Sequence, residues 1–303
     1  MSYDKEKHRT TFQIRNILKY NRDGSPNRQT TRMRHLEMFV NQLQKRGYNT
    51  RWDIHRIGQR EVFKVVNDWR SRGISHRAIE NRMADIRWLA SKLGKSSEIP
   101  TSRKLGIPKR CKTPGWGENK AKPLDLSLLQ GLDERYQIIT LLRAEFGLRN
   151  AEACKFSHAY AIADNAEHIR LKGSWCKGGR PRKIALRTPK QRELINQVGE
   201  FQRQNGDRSM IPHDLKFTSF RAKYYAATNA AGIPGHGLRH AWAQQLFETI
   251  SGFPAPHAGG PAYSNLDLSS KKRWDKAARI VNRELGHGAG RLDVTANYIG
   301  KRE

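Results

Sequence analysis

Several things are scarce in this 303-residue chain. It has three cysteines, Cys111, Cys154 and Cys176, an odd number with no CxxC spacing, which argues against a disulfide framework or a zinc knuckle and for a reduced cytoplasmic setting. No apolar run reaches the length of a transmembrane helix, so no membrane partner is expected, and the opening MSYDKEKHRTTF lacks the apolar segment of a secretory signal. Acidic residues are few, 28 Asp and Glu against 57 Lys and Arg. Without an acidic cluster, a metal nuclease built on His236 and His240, one helical turn apart, is a poor reading, and no metal is expected. The apolar share, 37%, is low but sufficient for a packed core, and the length suits two domains.

What is present in excess is positive charge, +29 net and spread along the whole chain. That balance points to a polyanion, and to nucleic acid first, because many phosphate contacts release many counterions. A ribosomal or packaging protein is the simpler alternative. Seven tryptophans in a chain this long argue against it.

Helical periodicity organises the sequence. Met33, Leu36, Phe39, Val40 and Leu43 predict one amphipathic helix from Thr30, stopped at Gly47; Val62, Val65, Val66 and Trp69 predict a second, and Ser75 caps a third carrying Ile79, Met83, Ile86 and Leu89. Residues 1–95 thus read as a small helical domain. Residues 96–122, rich in Ser, Pro, Gly and Lys and without a period, read as a basic linker, either lying along a phosphate backbone or merely solvated. Residues 123–303 form the second domain. There Asp125 or Ser127 is the expected cap of a helix running to Phe146, and Asn150 the expected cap of the next. Ile169 and Leu171, then Ile184 and Leu186, predict a hairpin with Lys177 near its tip. Further helices are expected around Leu194–Phe201, Phe217–Ala227, Leu238–Ile250 and Trp274–Leu285, with Ser251–Ser270 a surface loop.

Four polar stations lie at junctions of these elements: Arg149 with Glu152, Lys177, the box HGLRH (His236 to His240), and His287 with Tyr298 in ELGHGAGRLDVTANYIG. Singly each has an ordinary explanation. Arg149 can pair with Glu152, Arg239 can cover an apolar face with its stem, Lys177 sits in a basic run, His236 can cap a helix, His287 can be a satisfied surface residue, and Tyr298 can pack its ring on the core.

In combination and order, GLRNAE, a hairpin lysine, HGLRH, LGH and a late NYI resemble the tyrosine recombinases, the phage-type integrases, over the whole chain. The resemblance implies a mainly α fold: a helical, SAM-like core-binding domain, and a mixed, mostly helical catalytic domain with a small antiparallel sheet. It implies double-stranded DNA as partner, at specific recombination sites, with a homotetramer on two sites and room for accessory DNA-bending proteins. Tyr298 is then the nucleophile, forming a 3′-phosphotyrosyl bond and freeing a 5′-hydroxyl, with neither metal nor ATP nor other cofactor. Arg149 and Arg239 meet the charge on the phosphorane with planar donor forks, each lowering the barrier by roughly 3 kcal/mol on the scale of oxyanion donors. Lys177 protonates the leaving oxygen, with Lys172 as a rival. His236 and His287 bond the phosphate and handle the tyrosine proton. Glu152 orients the first arginine, and His240 supports by packing.

The stretch from Arg239 to His287 is longer than usual in that family, the excess falling in 251–270, where Tyr263 is a rival nucleophile. The expectation is therefore a cytoplasmic site-specific recombinase encoded by a mobile genetic element. A type IB topoisomerase and a noncatalytic basic DNA-binding protein are the alternatives.

Overall fold

Among the described residues, four α-helices build the N-terminal part of the chain: α1 (Arg9–Tyr20), α2 (Pro26–Lys45), α3 (Gln59–Ser71) and α4 (His76–Lys92). The computed structural model describes residues 9–49, 52–108, 117–163 and 167–302, and the chain divides into two units, Met1–Cys111 and Lys112–Glu303. Sequence periodicity finds α2 to α4 and misses α1, whose apolar stripe is short: Ile14 is fully buried, and Ile17 and Leu18 only partly. α2 starts ahead of the expected Thr30, because the Ser25 side chain accepts the Arg28 N–H and Pro26 suits a first turn. Ser75 caps α4 as anticipated, accepting from Ala78 N–H.

These helices close around Leu36, Phe39, Val65, Ile79, Met83 and Leu89. Inside this unit Asp85 is fully buried. Arg28 of α2 grips it with two bonds, 3.0 and 2.6 Å, and His35 Nδ1 lies 2.7 Å from the same carboxylate. Burial is tolerable for that charge because its partners are built in. Ile99, Leu105 and Ile107 also join this core, so packing continues past residue 95, where the helical period stops. Cys111 and the rest of 109–116 lie outside the described residues.

The second unit contains α5 (Glu134–Phe146), α6 (Asn150–Cys154), α7 (His158–Ala161), β1 (His168–Leu171), β2 (Arg182–Ala185), α8 (Pro189–Gln204), α9 (Phe217–Ala230), α10 (Gly237–Ser251), α11 (Leu268–Glu284) and α12 (Leu292–Ile299). β1 and β2 pair antiparallel with Ile169 opposite Ile184, both buried, as the alternation predicts. The cap of α5 is Asp133, whose side chain accepts from Arg135 N–H; Asp125 caps only the single turn Leu126–Leu129. α6 is capped at Arg149, with Asn150 as its first helical residue rather than its cap.

Gly147 ends α5 at φ +58°, and a Cβ there would lie 2.3 Å from the Trp242 ring. Only glycine allows both the left-handed turn and this approach of α10. The core gathers Phe146, Trp242, Phe247, Trp274, Val281 and Leu285.

The segment 251–270 is not a bare surface loop. Ser251 and Ala255 are buried, and Phe253, Tyr263 and Leu266 pack against the core. α11 begins at Leu268, where Asp267 accepts from Ser270 N–H at 2.7 Å. Pro and Gly mark irregular backbone in a sequence but do not reveal whether its side chains are buried. α12, with eight residues, was too short to register as a period. Among the described residues no helix is long and apolar enough to cross a membrane.

Candidate active site

The glycine stop at Gly147 throws Arg149 onto the start of α6, and His236 precedes α10, which carries Arg239 and His240 one turn inward. α11 ends at Glu284, and its last carbonyls become the meeting point. Arg149 Nη1 donates to the Leu285 carbonyl at 3.5 Å, and Arg239 Nη2 donates to the same oxygen. Arg182 Nε donates to the Glu284 carbonyl at 2.7 Å. The partial negative charge at a helix C-terminus favours guanidinium groups there.

A single carboxylate sits among these arginines. Glu152, 0% exposed, accepts from Arg182 Nη1 and Nη2 at 3.0 and 2.7 Å and from Arg149 Nη1 at 2.9 Å, while Arg239 Nη1 stands 3.9 Å away. Burial pushes its pKa up, but the Arg182 hydrogen bonds and the charges of Arg182, Arg239 and Arg149 outweigh this and hold it at about 2. Arg239 is buried, and burial with Arg149 nearby lowers its pKa to about 10, still charged at neutral pH. Its Nη1 donates to the Gly147 carbonyl and its Nε has no partner among the described residues.

Tyr298, on α12, points into this group. Its hydroxyl lies 3.1 Å from His236 Nε2, and its ring centroid lies 5.8 Å from the Arg239 guanidinium carbon. The ring stacks on His240 at 4.3 Å and 22°, and meets His287 at 5.3 Å. His236 and His240 therefore face the phenol. Among the described residues no group of three or more His, Cys, Asp or Glu gathers that could hold a metal ion.

All three rings stay neutral near pH 7. Burial first, then neighbouring Arg239 and Arg149, lowers His236 to about 4 and His287 to about 3; burial and His236 lower His240 to about 4. Each value lies below the ordinary 6.5, so the unfolded chain takes up protons first as pH falls. The stability contributed by these neutral rings is complete above pH 6.5 and is lost as pH drops towards 4 for His236 and His240 and towards 3 for His287. Melting temperatures at pH 7 and pH 5 check this: the wild type should lose more over that interval than His240→Gln, and equal losses would contradict it.

Lys177 is the station that the structure leaves apart. It stands exposed on the turn Lys177–Gly179 between β1 and β2, with no hydrogen bond or ion pair among the described residues. Lys172, the rival lysine, is exposed on the same connection, 5.7 Å from the Tyr160 ring. Tyr263 is held elsewhere: it donates to Asp275 at 3.2 Å and accepts from Arg302 at 2.6 Å.

Sequence reasoning missed three contributors. Arg182 looks like one more solvated charge in KGGRPRK, yet it is buried against Glu152. Gln244, one turn beyond His240 on α10, donates to the Tyr298 carbonyl at 2.9 Å. Arg143 of α5 donates to the Gly235 carbonyl beside His236. The i, i+4 spacing of Gln244 from His240 was the only available sequence signal.

Residues 10–99 match the family model described as phage integrase, N-terminal. A search of curated protein sequences found no match. A lambda integrase dimer bound to a COC′ core site aligns with a TM-score of 0.61 and 13% identity, over 95% of this chain and 75% of that one. A lambda integrase tetramer bound to a Holliday junction gives 0.58 and 12%, over 93% and 75%. XerH site-specific recombinase bound to difH substrate, in a pre-cleavage complex, gives 0.55 and 14%, over 96% and 82%.

At such identities the structural likenesses establish the fold alone, which this chain shares with lambda integrase and XerH recombinase: a helical N-terminal unit and a mostly helical second unit with, among the described residues, a two-stranded antiparallel sheet. The family match covers residues 10–99, within the N-terminal unit, and is to a phage integrase N-terminal domain.

Proposed function

We propose that the protein is a site-specific DNA recombinase, the integrase of a mobile genetic element, acting in the cytoplasm on double-stranded DNA. The observation that carries the reading is the Tyr298 hydroxyl 3.1 Å from His236 Nε2, on a ring beside the Arg239 guanidinium. A phenol held against a neutral imidazole and next to fixed cations is arranged for attack on an anionic phosphorus centre.

In the proposed step the Tyr298 oxygen bonds to phosphorus while the bond to the 5′-oxygen breaks. The phenol proton passes to His236, and the departing oxygen takes a proton from Lys177, whose exposed turn is free to meet DNA. Arg149 and Arg239 receive the charge on the non-bridging oxygens, so that neither metal nor ATP is required. Glu152 and His240 hold the arginines and the phenol ring in place. The phosphotyrosyl bond conserves energy for rejoining to a second 5′-hydroxyl.

We assign DNA-core binding to residues 1–95, backbone contact to the basic stretch 96–122 and the chemistry to 123–303. The lambda integrase tetramer with this fold supports a homotetramer on two sites here as well. Accessory DNA-bending proteins would be further partners. The test is incubation with nicked duplexes drawn from the DNA flanking its gene, with chelator present. A denaturation-resistant protein–DNA adduct is expected. Relaxation of site-free plasmid with no adduct on flanking DNA would favour a topoisomerase instead.

A further inference from the structure

A relay of two side chains leads away from His287. Its Nδ1 lies 3.0 Å from Thr295 Oγ1, which lies 2.9 Å from Asn282 Oδ1. Asn282 Nδ2 in turn donates to the Gly288 carbonyl at 3.3 Å, and the His287 N–H donates to the Asn282 carbonyl at 3.1 Å. Thr295 is 1% and Asn282 7% exposed, so no solvent relieves a mismatch in this relay.

Proton counting fixes the directions. Gly288 offers only an acceptor, so the Asn282 amide must turn its NH2 there and its oxygen towards Thr295. The single Thr295 hydroxyl proton is then committed to Asn282. Thr295 can only accept from His287, and two acceptors cannot face each other at 3.0 Å. His287 Nδ1 therefore carries a hydrogen, and the lone pair of the neutral ring lies on Nε2.

We propose that Thr295 and Asn282 are positioning residues that lock His287 in its Nδ1–H tautomer, so that the neutral ring brings a proton-accepting Nε2 to the site. This rests on the recombinase reading for its consequence. A neutral His287 cannot donate from Nε2 to a phosphate oxygen; it must first take up one proton from solvent, becoming an imidazolium that donates from both nitrogens. The groups around it are Arg149, Arg182, Arg239 and Arg291, with Tyr298 against the ring. Those arginines oppose that proton until a phosphate offsets them, so engagement of DNA and protonation of His287 are coupled. Thr295 lies one turn before Tyr298 on α12, so one short helix sets both the nucleophile and the tautomer of its neighbour.

The test uses the full chain, labelled with nitrogen-15 at histidine, without DNA at pH 7, and His287→Gln to assign the signal. In the wild type the protonated ring nitrogen of His287 should be Nδ1. Thr295→Val removes the acceptor and should release the ring to the Nε2–H form that histidine prefers in water, whereas Thr295→Ser should keep Nδ1–H. An Nε2–H signal in the wild type, or an Nδ1–H signal that survives Thr295→Val, would overturn the proposal. If Thr295→Val does not fold, the wild-type and Thr295→Ser signals still decide. Because no DNA is cleaved, failure here is distinct from failure of the recombinase reading, which shows as absence of adduct. Where adduct forms, Thr295→Val should slow it about tenfold or more, the scale on which the outer partners of metal-bound histidines act, with Thr295→Ser close to wild type.

Discussion

Tyr298→Phe should bind DNA as the wild type does and form no covalent adduct. The ring would keep its stacking on His240 at 4.3 Å and its place beside Arg239, so packing is preserved. The loss is one hydroxyl and its bond to His236, worth about 1 kcal/mol of stability. The loss of chemistry is far larger, since removing a covalent nucleophile in other enzymes costs on the order of 10⁶ in turnover. Electrophoresis under denaturing conditions, beside a binding assay at fixed salt, separates the two effects. Adduct from the phenylalanine variant would move the nucleophile to another residue.

Glu152→Gln should be the most destabilising conservative change in the second unit. The amide keeps the shape but removes the charge and turns an NH2 towards donors, leaving buried Arg182 and Arg239 without their shared carboxylate. Removing one partner of a buried pair costs about 3–5 kcal/mol. Urea denaturation at pH 7 measures it, and a loss under about 1 kcal/mol would contradict the buried-hub account. The pH dependence has a definite sign. The folded carboxyl stands at about 2 against an ordinary 4.5, so its stabilisation is present above pH 4.5 and is lost as pH falls towards 2. Glu152→Gln should therefore flatten the acid limb of the stability curve.

Much of the fold was legible because its helices are amphipathic and end on glycine or start on capping side chains. Gly147 and Ser75 are examples where one residue type leaves few choices. α1 and α12 escaped because their stripes are short, and Ile99, Leu105 and Ile107 because they pack without a period. For the site, order along the chain pointed to Arg149, His236, Arg239, His287 and Tyr298, and the fold gathers all five positions. Arg182, Thr295 and Asn282 were not legible. Their importance lies in what they touch once buried, and nothing in a basic run or a polar helix face distinguishes a buried guanidinium or hydroxyl from a solvated one. Lys177 is the reverse case: its position was readable, but the structure leaves it exposed and outside the cluster.

The most direct test of the central claim is to digest the covalent protein–DNA adduct with trypsin and locate the nucleotide on the peptide. It should fall on Tyr298, within Leu292–Lys301, linked to a 3′-phosphate. A 5′ linkage, or a nucleotide on Tyr263 or any other side chain, would contradict the account.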